Sequence, residues 1–367
     1  MASPAPGDTR LRERLDGVDP RPLRPRYQTL FSALQRGKRL EGFSCLDGRY
    51  RRSLDGTGDF SSPRSHGAQC CEQHHRNGTV TYYHQMLGAV LVHPDHQEVF
   101  PLAPEPILKP DRAKKNDGER HAAKRLLEAL RREHPHLKLI VIEDGLAANA
   151  PHIRQLKTLD RRFILGATPD DHPCLFEWVA QTPTTAAYPV TDEDGTRHRF
   201  RYRNGVPLND ANCDLEVIFL AYGETQPNGQ VTHCSWVTDC QIDKTNLMTL
   251  MRGARARWQI ANATVNTLKN PGDYFGRPCG HGHQHLSTVL MPRMMLALLI
   301  DPIQQRTYRL FQSAVKAADG KTRFWRLLRN GFDIGRIPDG ETRYRSISRQ
   351  PASPPARWSA TRREAAP

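Results

Sequence analysis

One short apolar run constrains the fold of this chain more than any other segment. The run begins at Leu137 and closes at Asp144, and Gly145 follows it. A nearly continuous apolar run of this length, ended by Asp-Gly, is typical of a central strand buried on both faces. Ligand and catalytic groups of open α/β sheets gather at the ends of such strands. The sequence therefore predicts an α/β fold with Asp144 at a sheet edge.

A second aspartate, Asp55, stands in a similar context, between Leu54 and Gly56. Taken alone, an Asp-Gly pair is more often a turn than a metal ligand. Between the two aspartates, however, the pattern predicts a strand, a hairpin, a helix and a strand. The predicted elements are strands around 53–56, 79–92 and 98–102 and a helix over 119–133 with Asp117 as its cap. A fold of alternating strands and helices in this order would expose both carboxylates.

Seven segments of the chain resemble bacterial insertion-sequence DDE transposases of the IS-four-like group. They are residues 54–58, 75–78, 82–88, 101–105, 143–146, 235–239 and 266–270. The resemblance runs from about Thr9 to about Gln305. It implies an RNase H-like domain in which Asp, Asp and Glu bind two divalent ions and drive cleavage and joining of transposon DNA ends. It also implies double-stranded DNA as partner and self-association in a synaptic complex.

Carried over residue by residue, the resemblance makes Asp55 and Asp144 the catalytic acids and the ligands of Mg²⁺ or Mn²⁺. The position of the third acid falls on Ala261, although the arginine four residues before it is present as Arg257. A second glutamate usual in that helix falls on Ala263. Two-metal chemistry clamps the attacking and leaving oxygens, and a misplacement of about 1 Å costs on the order of a hundredfold in rate. The resemblance therefore implies a transposase with weak magnesium binding and impaired activity.

Two other functions stay open at this point. One is a non-catalytic, transposase-derived protein that binds DNA. The other is a metal-dependent nuclease whose third ligand is displaced to Asp239, Asp243 or Asp273.

The segment around Ala261 has helical periodicity. Apolar residues recur at steps of three and four, which places them on one face that would direct Ala261 towards the sheet. They are Leu247, Met251, Ala254, Trp258, Ala261, Val265 and Leu268. Residues 244–270 carry five basic side chains and no acidic ones. Basic side chains on a helix beside a metal site can bind DNA phosphates and so position the duplex. We therefore predict phosphate contacts from four residues of this segment: Arg252, Arg255, Arg257 and Lys269.

The formal net charge is +14, which favours a polyanionic partner such as nucleic acid. Residues 302–367 hold 14 Lys and Arg against 5 Asp and Glu, and residues 1–52 hold 12 against 6. A solvated basic face is the alternative reading of both segments.

A cluster of potential zinc ligands follows Asp55: His66, Cys70, Cys71 and His75. Tetrahedral zinc takes four such N and S ligands, but this spacing matches no standard site. A histidine-rich loop or packed thiols is the alternative.

No apolar leader precedes the eight cysteines, so a cytoplasmic, nucleoid-associated bacterial protein with reduced thiols is expected. The apolar stretch 286–300 contains Pro292 and Arg293 and is too short to span a bilayer, so a buried helix and no membrane partner are expected.

The predicted organisation has five parts. Residues 1–50 are a helical remnant, because family members usually carry a further helical region ahead of Thr9. Residues 51–160 are the first part of the RNase H-like core, and 161–240 are a β-rich insertion between the second and third acid positions. Residues 241–305 supply the last core helices, and 306–367 form a basic tail that is partly disordered.

Overall fold

The structure is a computed structural model that describes residues 7–67, 70–108, 118–182, 186–260, 282–334 and 339–349. The chain divides into two compact units, Met1–Pro302 and Ile303–Pro367. The helices of the first unit are α1 (Asp8–Asp16), α2 (Leu23–Arg36), α3 (Glu119–Glu133), α4 (Ala150–Thr158), α5 (Pro173–Gln181), α6 (Leu247–Arg255) and α7 (Leu286–Thr307), whose last residues enter the second unit.

Twelve strands pair into one mixed sheet within the described residues. They are β1 (Ser44–Cys45), β2 (Arg49–Ser62), β3 (Cys71–His74), β4 (Val80–His93), β5 (His96–Pro101), β6 (Glu105–Ile107), β7 (Leu139–Glu143), β8 (Arg162–Gly166), β9 (Ala186–Thr191), β10 (Arg197–Pro207), β11 (Glu216–Thr225) and β12 (Val231–Thr238). The fold is therefore mixed α/β, as the sequence predicted.

The main path of the sheet runs β3-β4-β2-β7-β8-β12-β11-β10-β9, with β5 and β6 also paired to β4 and β1 paired to β2. Strands β2, β7 and β8 are mutually parallel, and the other pairs are antiparallel. The β-rich stretch predicted over 161–240 thus begins with a parallel strand. Its later strands continue the same sheet.

The apolar run forms the middle of this sheet. All five residues of β7 are buried, as expected for a strand covered on both faces. Helix α3 spans the predicted residues and buries Ala122, Leu126 and Leu130. Its N-cap residue is Gly118, and Asp117 lies outside the described residues.

Helix α6 ends earlier than the periodicity predicted. The amides of four residues here bond to carbonyls three residues back, for example Gln259 to Ala256 at 3.0 Å; the others are Ala256, Arg257 and Ile260. Such 3₁₀-type bonds tighten the turn and rotate the following side chains. Trp258, predicted on the buried face, is therefore 55% exposed, and Ile260 is 1% exposed.

Helix α7 is the one described helix that is long and apolar enough, by length and composition, to cross a membrane. Its buried residues include Val289, Met291, Met295 and Leu299, and Pro292 and Pro302 lie within it. The Tyr27 hydroxyl donates to the Pro292 carbonyl at 2.5 Å. The helix thus packs into the first unit, as predicted for 286–300.

The second unit has its own helices: α8 (Arg309–Ala317), α9 (Lys321–Ile334) and α10 (Gly340–Ser348). The rings of Phe311, Phe324 and Tyr344 pack together, with Phe311 meeting Phe324 edge-on at 5.0 Å. The Asp339 side chain caps α10 by accepting from the Thr342 amide at 2.6 Å. The described part of the predicted basic tail is therefore helical.

Candidate active site

Parallel pairing of β2 with β7 places Asp55 beside Asp144. Strands β2 and β7 are in register up to Ser53 opposite Ile142, and each aspartate stands two residues beyond that pair. Neighbouring strands are about 4.8 Å apart. Asp144 is exposed just after β7, where its carboxylate accepts from the Leu146 amide at 3.2 Å. The two carboxylates predicted as the acid pair therefore lie side by side on adjacent strands, with Asp55 inside β2 and Asp144 just after the end of β7.

The electrostatics of Asp55 reflect this arrangement. Burial raises the pKa of Asp55, and the negative charge of Asp144 raises it further. The positive charge of Arg257 and the Gly56 amide act in the opposite direction. Two like charges held together in a half-buried site favour binding of a cation between them.

The segment after α6 runs along β2 towards Asp55. The Ser53 hydroxyl lies 3.4 Å from the Arg257 carbonyl oxygen, to which it donates. Gly88 pairs with Asp55 across β2 and β4, and a Cβ built at Gly88 would lie 3.9 Å from Ile260 Cδ1. Ile260 is the last described residue before Ala261. Ala261, Ala263 and Lys269 lie outside the described residues.

A third carboxylate, which the sequence analysis did not single out, lies on the other side of β2. Glu119 accepts from the Gln85 amide at 2.5 Å, and a Cβ at Gly56 would collide with its carboxylate. Burial raises the pKa of Glu119, and Asp55 and Asp144 also raise it. Because successive residues of a strand face opposite sides, Glu119 and Asp55 flank β2 from different faces. The sequence did contain a signal for this residue, because Glu119 is the first residue of the predicted helix that precedes the strand ending at Asp144.

The described residues contain no group of three His, Cys, Asp or Glu side chains that could hold a metal ion. Asp239 accepts from the Phe163 amide at 3.0 Å and pairs with Arg162, at the start of β8 rather than at the edge with Asp144. Asp243 accepts from Thr245 and Asn246. Asp273 lies outside the described residues. Both described candidates for a displaced third acid thus bond elsewhere.

The predicted phosphate-binding arginines have carboxylate neighbours. Arg252 forms an ion pair with Asp95, and Arg255 donates to Glu224 at 2.6 Å. Arg257 is half-buried beside Asp55. An arginine carries five N–H donors, so one carboxylate partner leaves donors for a phosphate.

A cavity of about 560 Å³ is lined in part by Gly166, a neighbour of Asp144, and by Arg257, a neighbour of Asp55. Gly166 at its edge is so close to the second acid that a Cβ there would lie 3.3 Å from the Asp144 carbonyl carbon. Its wall combines cationic and aromatic side chains, with Arg255 and Arg257 beside Tyr222, Trp236 and Trp258. This volume is in the range of small-ligand pockets.

The residues of the predicted zinc cluster each have a separate partner. The His66 ring stacks on Tyr82 at 4.3 Å, and the Cys70 thiol lies 3.5 Å from His84 Nε2. The Cys71 thiol donates to the Ile107 carbonyl, and His75 bonds to the Thr81 hydroxyl at 2.8 Å. In the described residues these four side chains are not brought together. The seven described cysteines are free thiols.

Comparison of the chain with protein-family models and with curated proteins finds no match.

Proposed function

We propose that this chain is a DDE transposase by descent that binds double-stranded DNA and has impaired strand cleavage. The observation that carries the proposal is the parallel pairing of β2 and β7, which sets Asp55 beside Asp144. The order of strand, hairpin, helix and strand agrees with the RNase H-like core implied by the sequence resemblance. The approach of residues 257–260 to β2 supports placing the third acid's position at Ala261.

The donor set fits one magnesium ion better than two. Asp55 and Asp144 offer carboxylate oxygens, which Mg²⁺ prefers, and the exposed position of Asp144 leaves room for water and phosphate ligands. A bound ion would supply charge stabilisation at a phosphoryl oxygen. Alanine at position 261 contributes no ligand, and Glu119 lies on the opposite face of β2. One weakly held ion is therefore the expected state.

The chain's own residues supply the DNA contacts in this proposal. Arg257 neutralises a phosphate next to the acid pair, and Arg255 does so from the cavity wall. The aromatic rings of Trp236 and Trp258 give apolar surface for sugars or bases. The non-catalytic alternative, in which the chain only binds DNA, uses these same contacts. The bonds of Asp239 and Asp243 weigh against a nuclease with a displaced third acid.

The test compares the full chain with Ala261→Glu in manganese titrations and in cleavage of DNA that carries the ends flanking its gene. We expect about one weakly bound ion in the original chain and tighter binding with measurable cleavage in Ala261→Glu. Asn262→Glu is the matched control, because it adds the same charge one residue away. Adding Asp144→Ala to Ala261→Glu should abolish both gains.

Efficient cleavage by the original chain would show that position 261 is not the third acid. Duplex binding by the original chain should show a slope of about 0.9 per phosphate contact in a plot of log K against log salt. No binding at low salt would overturn DNA as the partner.

A further inference from the structure

Strand β10 carries an arginine at every second position of its first half. Arg197, Arg199 and Arg201 are exposed, whereas His198 and Phe200 between them are buried. Because successive side chains of a strand point to opposite faces, the three arginines share one face of the sheet and follow one another at about 6.8 Å along the strand. We call these three side chains the arginine row.

The arginine row lies on the face of the sheet that α6 does not cover. Phe200, on the opposite face of β10, belongs to a core cluster with Tyr222 of β11 and Trp236 of β12. Helix α6 contributes Leu250 and Met251 to that cluster. The helix therefore packs on one face of β10–β12, and the arginines of β10 are exposed on the other.

The strands beside the arginine row present small side chains to it. Directly paired residues of antiparallel strands lie on the same face of a sheet. The partners of the three arginines, in order, are Thr191, Pro189 and Ala187 on β9 and Thr225, Gly223 and Ala221 on β11. These side chains are short, and a glycine inside a strand leaves space for a close approach. A bulky partner can therefore come against the sheet between the arginines.

The face that holds the arginine row carries no carboxylate on strands β9–β12, all of whose residues are described. The acidic residues of these strands are Glu216 and Glu224, and both lie at the alternate positions of β11 that belong to the α6 face. The arginines of α6 have carboxylate partners, Asp95 for Arg252 and Glu224 for Arg255, whereas the described residues supply none for the arginine row. Its positive charge is therefore not neutralised from within this part of the chain.

Neighbouring groups define both ends of the arginine row. At its start, the β9–β10 turn holds acidic residues, and Asp192 of this turn pairs with His198 at 2.9 Å. Past its other end, the guanidinium of Arg203 lies over the Trp178 ring of α5, 5.9 Å from the ring centre, and Arg203 is half-buried. The exposed basic surface of β10 is therefore a short stripe.

We infer that the arginine row binds phosphates of double-stranded DNA and forms a second DNA surface, on the face of the sheet opposite α6. A row of like charges without carboxylate partners attracts a polyanion, and arginine contacts to phosphates do not depend on base sequence. The inference rests on the proposed function for its partner and goes beyond it in the surface that the partner uses.

The aromatic residues favour a duplex over a single strand. Proteins that bind single strands stack the bases on accessible aromatic rings. Five of the six Tyr, Phe and Trp rings of β9–β12 belong to the α6 face, and the sixth, Phe219, is buried. The arginine row thus offers charge for a backbone and no such ring for a base. A second copy of the chain is a poor partner, because each copy has a net charge of +14.

The first test measures binding of a random-sequence fluorescent duplex to the full chain, without divalent metal, as salt varies. One variant combines Arg197→Gln, Arg199→Gln and Arg201→Gln. Its slope of log K against log salt should be shallower by about 2.7, or about 0.9 for each lost phosphate contact. Arg199→Lys keeps the charge and should keep the slope of the original chain. An unchanged slope in the triple variant would overturn the inference.

The matched control removes three exposed basic side chains in and after α3, where Glu128 and Glu133 lie among them. It combines Lys124→Gln, Arg132→Gln and Lys138→Gln, so that the net charge falls by the same amount. We expect a slope close to that of the original chain. A control slope as shallow as that of the arginine-row variant would show a general effect of net charge and would overturn the specific surface.

The second test uses the unsubstituted chain, so it does not depend on the folding of a variant. Phenylglyoxal modifies accessible arginines, and mass spectrometry measures the modification of each one. A saturating amount of duplex should protect Arg199 and Arg201 severalfold and leave Arg132 reactive. Equal modification of Arg199 and Arg201 with and without bound duplex would overturn the inference.

The outcomes separate this surface from the proposed function. If the chain binds duplex and the arginine row makes no contribution, the surface fails and DNA remains the partner. If the row contributes but Ala261→Glu gains neither manganese binding nor cleavage, the proposed transposase site fails and the surface stands. A triple variant that loses binding to a single strand but not to the duplex would overturn the duplex as occupant. No binding of duplex at low salt would overturn both.

Discussion

Replacing Asp16 by alanine should destabilise the first unit far more than an ordinary surface change. The Asp16 carboxylate is 9% exposed and accepts from four backbone amides, at 2.7 to 3.0 Å, where the chain enters α7. The amides belong to His283, Gln284, His285 and Leu286. In the alanine variant these donors at the helix N-terminus lose their acceptor together.

The size of the effect follows from these bonds. A hydrogen bond to a charged group contributes about 1.5 to 3 kcal/mol, and loss of an N-cap side chain costs about 0.5 to 2 kcal/mol. Because the four bonds share one carboxylate and water can reach part of the site, their energies do not add. We expect a loss of about 3 kcal/mol in the free energy of unfolding. For a unit of this size that is roughly 6 °C in Tm.

The effect of the substitution should depend on pH. Burial raises the pKa of Asp16, but the four backbone amides lower it more, so the net pKa is below the ordinary 3.8. A carboxylate with a lowered pKa contributes its stability above the ordinary pKa and loses it as the pH falls through the folded value. The difference between the two proteins should therefore be full at neutral pH and shrink in strong acid.

Thermal unfolding followed by circular dichroism provides the assay. Asp19→Ala is the matched control, because Asp19 lies three residues beyond Asp16 and, among the described residues, bonds to Arg21 in an exposed pair. We expect that control to change stability by less than about 0.5 kcal/mol. A Tm for Asp16→Ala equal to that of Asp19→Ala would refute the reasoning.

Three further predictions concern ionisable side chains of the first unit. Arg52→Met should raise the free energy of unfolding by about 1 to 2 kcal/mol in urea titrations, because the guanidinium is fully buried and three of its nitrogens have no hydrogen-bond partner among the described residues; a less stable variant would contradict this. Burial lowers the pKa of His134 to about 4 from 6.5, so acid favours the unfolded chain, which takes up the proton first. His134→Phe should reduce the stability lost between these pH values by up to about 1.4 kcal/mol per pH unit, and an equal loss in both proteins would argue against it. Asp144→Asn should lower the pKa of Asp55, measured by carboxyl NMR titration, because it removes a neighbouring negative charge; an unchanged titration would show that the two groups are not coupled.

The local sequence pattern was sufficient to predict the elements in which buried residues recur with a regular period. The apolar run ending at Asp144 gave β7, and the stripe through Leu126 gave α3 with its observed bounds. These predictions held because a strand buried on both faces and a helix buried on one face leave distinct periodicities. The position of Asp144 then followed from where β7 ends, whereas β2 continues past Asp55 to Ser62.

Features that depend on distant parts of the chain could not be read in this way. Asp16 looks like a helix-end residue, and its partners begin 267 positions later. Trp258 fits the apolar stripe, and only the 3₁₀-type turn before it shows why it is exposed. Helix α5 was missed, although Pro173 at its start and the buried Leu175 and Val179 were usable signals.

The order of the strands also determines which strand forms the outer edge of this sheet. Strand β9 is last in the sheet path, and it contains Pro189, which has no N–H to offer a further strand. Proline is confined to edge strands for this reason and discourages pairing between molecules. The β-rich part of the sheet therefore ends in a strand that resists pairing with a strand of another molecule. Copies of the protein that assemble on DNA would meet through helices or loops rather than by extending this edge.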